Sequence, residues 1–156
     1  MAPSELKDFP DVQALEQHDS SAVAGGCYDR GELTLEVPRE KIVSVCEFLK
    51  AHCGYNFLAD LTATDWFPVE PRFQVVYHLY ALGDSRQLRL KVKLEGADPR
   101  VESVCGVWPA ANWFEREVFD LFGIFFTGHP DLDRILMPDD WEGHPLRKDY
   151  PIEGVR

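Results

Sequence analysis

Residues 128–151 read GHPDLDRILMPDDWEGHPLRKDYP and hold four prolines in 24 positions. Each proline fixes φ and lacks the N–H that a helix or a ladder needs, so this stretch is neither a long helix nor a central strand. It also carries Leu132, Ile135, Leu136, Met137, Trp141, Leu146 and Tyr150. That is too much large apolar surface for a disordered tail. Such a segment has to bury its side chains on something other than its own secondary structure, either the body of the chain or a partner.

The preceding 127 residues supply a body of suitable size. Residues 8–18 suggest a short opening helix. Residues 23–28 and 32–37 flank Asp29-Arg30-Gly31, and ELTLEV alternates cleanly, which predicts a hairpin. Pro38 fits a helix start. Ile42, Val45, Cys46, Leu49 and Cys53 recur at helical spacing, and Gly54 suits the position after the helix. Residues 55–65 and 72–82 are strand-like. In QLRLKVKLE (87–95) Leu88, Leu90, Val92 and Leu94 share one face and Arg89, Lys91 and Lys93 the other, the pattern of an antiparallel strand with one wet face. Asp98-Pro99 predicts a helix running to about Val107. A second helix is expected over 113–122, ended by Gly123, then a last strand over 124–127. The fold class expected is therefore α+β: a two-layer structure with a mixed, largely antiparallel sheet and packed helices over 1–127, followed by an extended arm over 128–156 that belongs to the same unit.

Charge and cysteines narrow the function. A net charge of −11 argues against nucleic-acid binding and against docking on anionic lipid. No apolar run approaches the roughly 18 residues of a membrane span. MAPSELKDFP lacks the layout of a secretory signal, so a soluble cytoplasmic chain is expected. Cys27, Cys46, Cys53 and Cys105 form no Cys-x-x-Cys pair, which leaves iron–sulfur and zinc spacings absent and predicts buried, reduced thiols.

The segment NWFEREVFDLFG (112–123) concentrates the charges. Asn112 and Glu115 have capping-box spacing. At 100° per residue Phe114, Val118, Phe119, Leu121 and Phe122 cover one arc, with Glu115 projecting into it, while Arg116, Glu117 and Asp120 gather opposite. Asp120 faces the negative end of the helix dipole, and Arg116 at i−4 is its expected partner. Two chemical readings compete with a structural one. Glu115, Glu117 and His129 would be acid, base and orienter in a free-standing enzyme, although positions two apart on a helix point to different sides. His129, Asp131, Asp133 and His144 would be ligands in a metal-binding module, without a recognised spacing. His18, His52 and His78 read as structural.

The stretch EREVFDLFGIFFTGHPDLDRILMPDDWEGHPLRKDYP (115–151) resembles the signature region of the 30-kilodalton subunit of respiratory complex I, the NADH–quinone oxidoreductase. Glu115, Arg116, Glu117, Asp120, Leu121 and Phe122 match its acidic core, His129 its Gly-His-Pro, and 146–151 its Leu-Arg-Lys-Asp-Tyr-Pro close. GYNFLADLTATDW (54–66) is similar to the segment before the family's sheet. Asp133 stands where the family usually has a basic residue, which leaves Arg134 as the cation there. The resemblance implies a non-catalytic assembly role without a cofactor of its own, in a complex that uses FMN, iron–sulfur clusters, NADH and quinone. It implies a peripheral place on the cytoplasmic face of the inner membrane, reached only through the complex. The chief partner implied is the 49-kilodalton subunit, which forms much of the quinone pocket. The partner-binding residues implied are Glu115, Arg116, Glu117, Asp120, His129, Arg134, Trp141, His144, Arg147, Lys148, Asp149 and Tyr150, with Trp141 and Tyr150 as anchors and Arg147 facing a carboxylate of a neighbour. The equivalent position in a related membrane-bound hydrogenase or formate-hydrogenlyase complex is the nearest alternative.

Overall fold

The structure is a computed structural model, and it describes residues 6–153. Helix α1 (Pro10–His18) precedes a hairpin of β1 (Gly25–Asp29) and β2 (Glu32–Glu36). The hairpin closes over Arg30 and Gly31 with φ of 52° and 85°, the left-handed pair that a two-residue turn requires. A 3-10 turn after Pro38 leads into α2 (Ile42–His52). Three nine-residue strands follow: β3 (Phe57–Asp65), β4 (Phe73–Ala81) and β5 (Arg86–Leu94). Then come β6 (Arg100–Glu102), α3 (Ala111–Phe122) and β7 (Phe125–Thr127).

The main sheet has the order β1-β2-β5-β4-β3, with one parallel contact, β2 to β5. Its inner face is built by alternation: Leu35, Leu90, Tyr77 and Leu61 lie in register across four strands, and Leu33, Leu88, Leu79 and Leu58 form the next row. All are buried, together with Val12 and Leu15 of α1 and Ile42, Val45, Cys46 and Leu49 of α2. The helices cover one face, and the other carries the basic row, with Thr34, Gln74 and Val76 also buried there, within the mixed α+β layering that the pattern predicts. The basic row is not free. Arg89 pairs with Glu32, and Lys93 Nζ lies 2.9 Å from Glu36.

Three expectations are corrected. The helix expected over 98–107 is absent: Arg100–Glu102 is a strand, parallel to β7 in a separate two-stranded sheet. Asp98 is drawn to Arg39 and Arg100 instead of capping. Val101 goes into the core beside Phe126, so burial of an alternating triplet outweighs a local helix-start signal. Helix α3 then starts at Ala111, which places Asn112 inside its first turn; the N-cap is Ala110, with no side-chain bond, so the capping box does not form. Finally, all four thiols are free, but Cys27 is exposed and Cys105 half-buried. Residues 128–153 hold no helix or strand.

Candidate functional site

Helix α3 ends at Gly123, whose φ of 72° is left-handed. The last turn of any helix leaves carbonyls without partners. Here the arm fills them. His144 Nδ1 donates to the Asp120 carbonyl (2.9 Å), Leu146 N–H to that of Leu121 (3.0 Å) and Arg147 Nε to that of Phe122 (2.6 Å). A cation at this end also meets the negative pole of the helix dipole. The fit needs glycine, because a Cβ at 123 would stand 2.5 Å from the His144 ring and 2.6 Å from Arg147.

The acids of α3 split by role. Asp120 is fully buried. One carboxylate oxygen accepts the backbone N–H groups of Ile135, Leu136 and Met137 (3.1, 2.7 and 2.8 Å), and the other accepts from Arg134 (2.7 Å). Burial pushes this carboxyl up, but the three N–H donors and Arg134 outweigh it and hold it below its ordinary value. The expected i−4 partner, Arg116, instead donates to the carbonyls of Asp133 and Arg134 (3.1 and 3.2 Å). The Arg116–Asp120 pair is thus replaced by a longer-range one, because a turn of the arm offers this carboxylate four donors and a helix neighbour offers one.

Glu115 is also fully buried and faces the loop after β6. It accepts from Val104 N–H (2.7 Å), Ser103 Oγ (2.6 Å) and Cys105 Sγ (3.4 Å). Burial pushes its carboxyl up, and those donors with His129 only partly oppose the shift. Because its folded pKa lies above the unfolded one, its contribution to stability is full below the ordinary glutamate range and is lost as pH rises through the folded value. Glu115→Gln keeps an acceptor for Val104 and removes that dependence. Denaturation of both proteins across pH is expected to show the wild type losing stability relative to the variant as pH rises. A difference constant with pH would refute the assignment. Glu117 points to solvent.

A second clasp holds the end of the arm. Asp65 sits at the inward parity of β3, after Leu61 and Ala63, with its side chain 1% exposed. Arg72 grips it through two bonds (2.9 and 2.8 Å), and Lys148 N–H donates to it (2.8 Å). Arg72 also reaches Asp149 (2.6 Å) and lies over the rings of Phe67 and Phe73. Burial pushes the Asp65 carboxyl up, yet Arg72 and the N–H donors bring it down to about 2. Neither Asp65 nor Arg72 stands out in the sequence. The one signal there is a charge at an inward position of an alternating strand.

This geometry bears on both chemical readings. Glu115 and Glu117 lie on different sides of α3, one buried and one exposed. His129 Nδ1 accepts the Asp131 N–H (3.0 Å), which leaves the proton on Nε2, directed at the Asn112 carbonyl (3.2 Å). The set His129, Asp131, Asp133 and His144 does not converge. Among the described residues the cluster with ligand spacing is Cys105, Glu115 and His129, within 4.8 Å of one another. Its histidine holds the tautomer opposite to the one that Nε2 ligation needs. Arg147, expected to face another protein, turns inward, with its guanidinium also over Phe73.

Arg134, His144 and Arg147 of the arm therefore point in, while Leu136, Trp141, Leu146 and Ile152 are left exposed, as are Trp113 of α3 and Trp66 and Phe67 beyond β3. Residues 35–156 match the family model described as respiratory-chain NADH dehydrogenase, 30 Kd subunit. The chain belongs to this family. It is 52% identical over 125 residues to a NADH-quinone oxidoreductase subunit of Geotalea uraniireducens, covering 80% of this chain and 76% of that one. It is 46% identical to the protein of the same name in Citrifermentans bemidjiense, covering 92% and 89%. Among solved structures it resembles the trypsin-resistant fragment of Nqo5, with a TM-score of 0.68, 37% identity, and coverage of 78% of this chain and 98% of that one. It also resembles a chain in the membrane-bound sulfane sulfur reductase, an archaeal respiratory membrane complex, with a TM-score of 0.77, 28% identity and coverage of 90% and 84%. No helix of the described residues is long and apolar enough to cross a membrane. The residues matched to the 30-kilodalton family include both α3 and the arm that locks onto it.

Proposed function

We propose that this chain is a non-catalytic assembly subunit of a proton-translocating NADH–quinone oxidoreductase, where it braces the quinone-reducing module at the cytoplasmic face of the membrane. FMN, the iron–sulfur clusters, NADH and quinone are handled by other subunits, and the 49-kilodalton subunit is the chief partner. The carrying observation is the orientation of the arm. The N–H groups of Ile135, Leu136, Met137, Leu146 and Lys148 and the side chains of Arg134, His144 and Arg147 are bonded to α3 and β3, so the outward apolar side chains are held in place before any partner arrives. An ordered segment loses less entropy on docking than a free one. Trp141 is the main anchor, since exposed tryptophans in a fixed frame are typical hot spots.

Truncating the arm would strip Asp120 of its four donors and Asp65 of the Lys148 N–H, so the sharper test keeps the chain whole. Trp141→Ala with Leu136→Ser leaves every inward bond intact. Affinity purification from native membranes is expected to recover NADH-oxidising, quinone-reducing subunits with the wild type, and about tenfold less with the double variant. Recovery of the wild-type chain alone would overturn the assembly role. The likeness to the sulfane sulfur reductase chain supports a second reading, the equivalent position in a related membrane-bound complex. Recovery of nickel–iron or sulfur-reducing subunits instead of quinone-reducing ones would select it.

A further inference from the structure

The main sheet ends at β3, which is paired only with β4. Helix α3 packs against β3 from the inner face, beside Tyr77 and Cys46, whose pKa values are raised by burial first and by the nearby Glu115 in addition. Among the described residues no hydrogen bond reaches the main chain of β3 from the side away from β4. An edge with unfilled donors and acceptors is a template for another strand unless charge, proline, a bulge or a covering element guards it, and in β3 the irregularity at Leu58/Asp60 and the Asp60 charge guard the first half only. Residues 61–64 of this edge, Leu-Thr-Ala-Thr, hold no charge and no proline. Their end opens into a groove of about 760 Å³ between the strand and the arm, walled by Thr64, Trp66, Phe67, Phe122 and Leu146. Trp66 and Phe67 are 56% and 48% exposed. Lys148 lines the rim. Its N–H is bonded to Asp65, but its ammonium meets no carboxylate among the described residues.

We propose that β3 receives an extended segment of another protein of the complex as a sixth strand, with apolar side chains of that segment in the groove and a carboxylate against Lys148. This rests on the assembly role above. The main-chain ladder supplies affinity, and alternate side chains facing Trp66, Phe67 and Leu146 supply selectivity. A second copy of this chain is the poorer occupant. Edge-to-edge pairing would bring together two chains of net charge −11, and a two-fold contact requires self-complementarity. The nearby acids Asp65 and Asp149 are already held by Arg72, which leaves neither free to answer a second copy's Lys148.

The test compares amide hydrogen exchange of the 57–66 peptide in the isolated chain and in the purified oxidoreductase complex. The outward amides of β3 are expected to slow by about tenfold or more on assembly. Lys148→Glu and Leu146→Ser, made in the full chain, should leave thermal unfolding unchanged and reduce incorporation by about tenfold. Equal exchange rates with the chain present in the complex overturn the strand proposal alone. A chain that enters no complex overturns this proposal and the assembly role together. Protection of β3 in the isolated chain, accompanied by a dimer mass, makes the occupant a second copy and also overturns it.

Discussion

Asp120→Ala is expected to free the arm and to cost about 3–5 kcal/mol, because Arg134 loses the partner that compensates its burial and three backbone N–H groups of the arm lose their acceptor together. In a chain of this size that corresponds to a fall in melting temperature of roughly 10 °C. Hydrogen exchange locates the effect: residues 134–147 should lose protection first, since the carbonyls at the end of α3 hold the arm only while Asp120 fixes its turn. The isosteric Asp120→Asn separates charge from shape. Because the folded carboxyl lies below its ordinary value, its contribution is present above that value and is lost as pH falls through the folded pKa. Acid should therefore loosen the wild-type arm, while the asparagine variant starts weaker and responds less. Unchanged protection of 134–147 in Asp120→Ala would refute the central role assigned to this carboxylate.

Arg72→Leu carries the second large expected effect. It leaves Asp65 buried with two N–H donors and without its ion-pair partner, and it removes the group that joins β3 to Asp149. Removing one partner of a buried pair costs about 3–5 kcal/mol. Asp149→Asn provides the control, since this acid is 42% exposed and its share should stay below about 1 kcal/mol. The pH profile has a definite sign. With Asp65 brought down to about 2, its stabilisation is complete above the ordinary aspartate range and disappears as pH falls towards 2. Urea denaturation of the three proteins at neutral and acid pH would expose a failure: equal losses for Arg72→Leu and Asp149→Asn would mean that the buried half of the network does not matter.

These two clasps change the meaning of the arm's charges. Arg134, His144, Arg147 and Asp149, which the resemblance assigns to partner contacts, are engaged within the chain. Their substitution should act on assembly by displacing the arm. Glu117, Trp141 and the Lys148 side chain, with Leu136 and Leu146, are exposed and face outward. An assembly defect with normal arm protection therefore marks a contact residue, and a defect with lost protection marks a positioning one.

Much of the architecture was legible because it depends on local period. Alternation in 32–37 and 87–95 placed Leu33, Leu35, Leu88, Leu90, Val92 and Leu94 on one face, and every one of them is buried. Helical spacing placed Ile42, Val45, Cys46 and Leu49 inward, and Gly123 ended α3 where its left-handed φ was needed. The prolines of the arm excluded helix and strand there by removing donors. The family was legible from the same segment that carries the site. What sequence could not decide was the partner of each polar group. Asp98-Pro99 has a helix-start pattern, and Asn112 with Glu115 a capping pattern, yet both yielded to contacts with distant residues. Arg72 meets Asp149 across 77 positions, and Lys148 meets Asp65 across 83. A buried carboxylate takes whichever donors the folded path brings within about 3 Å, and the free energy of leaving it unpaired is large enough to overrule an i−4 neighbour or a cap. Periodicity is written in adjacent residues, whereas satisfaction of buried charge exists only once the chain has closed on itself.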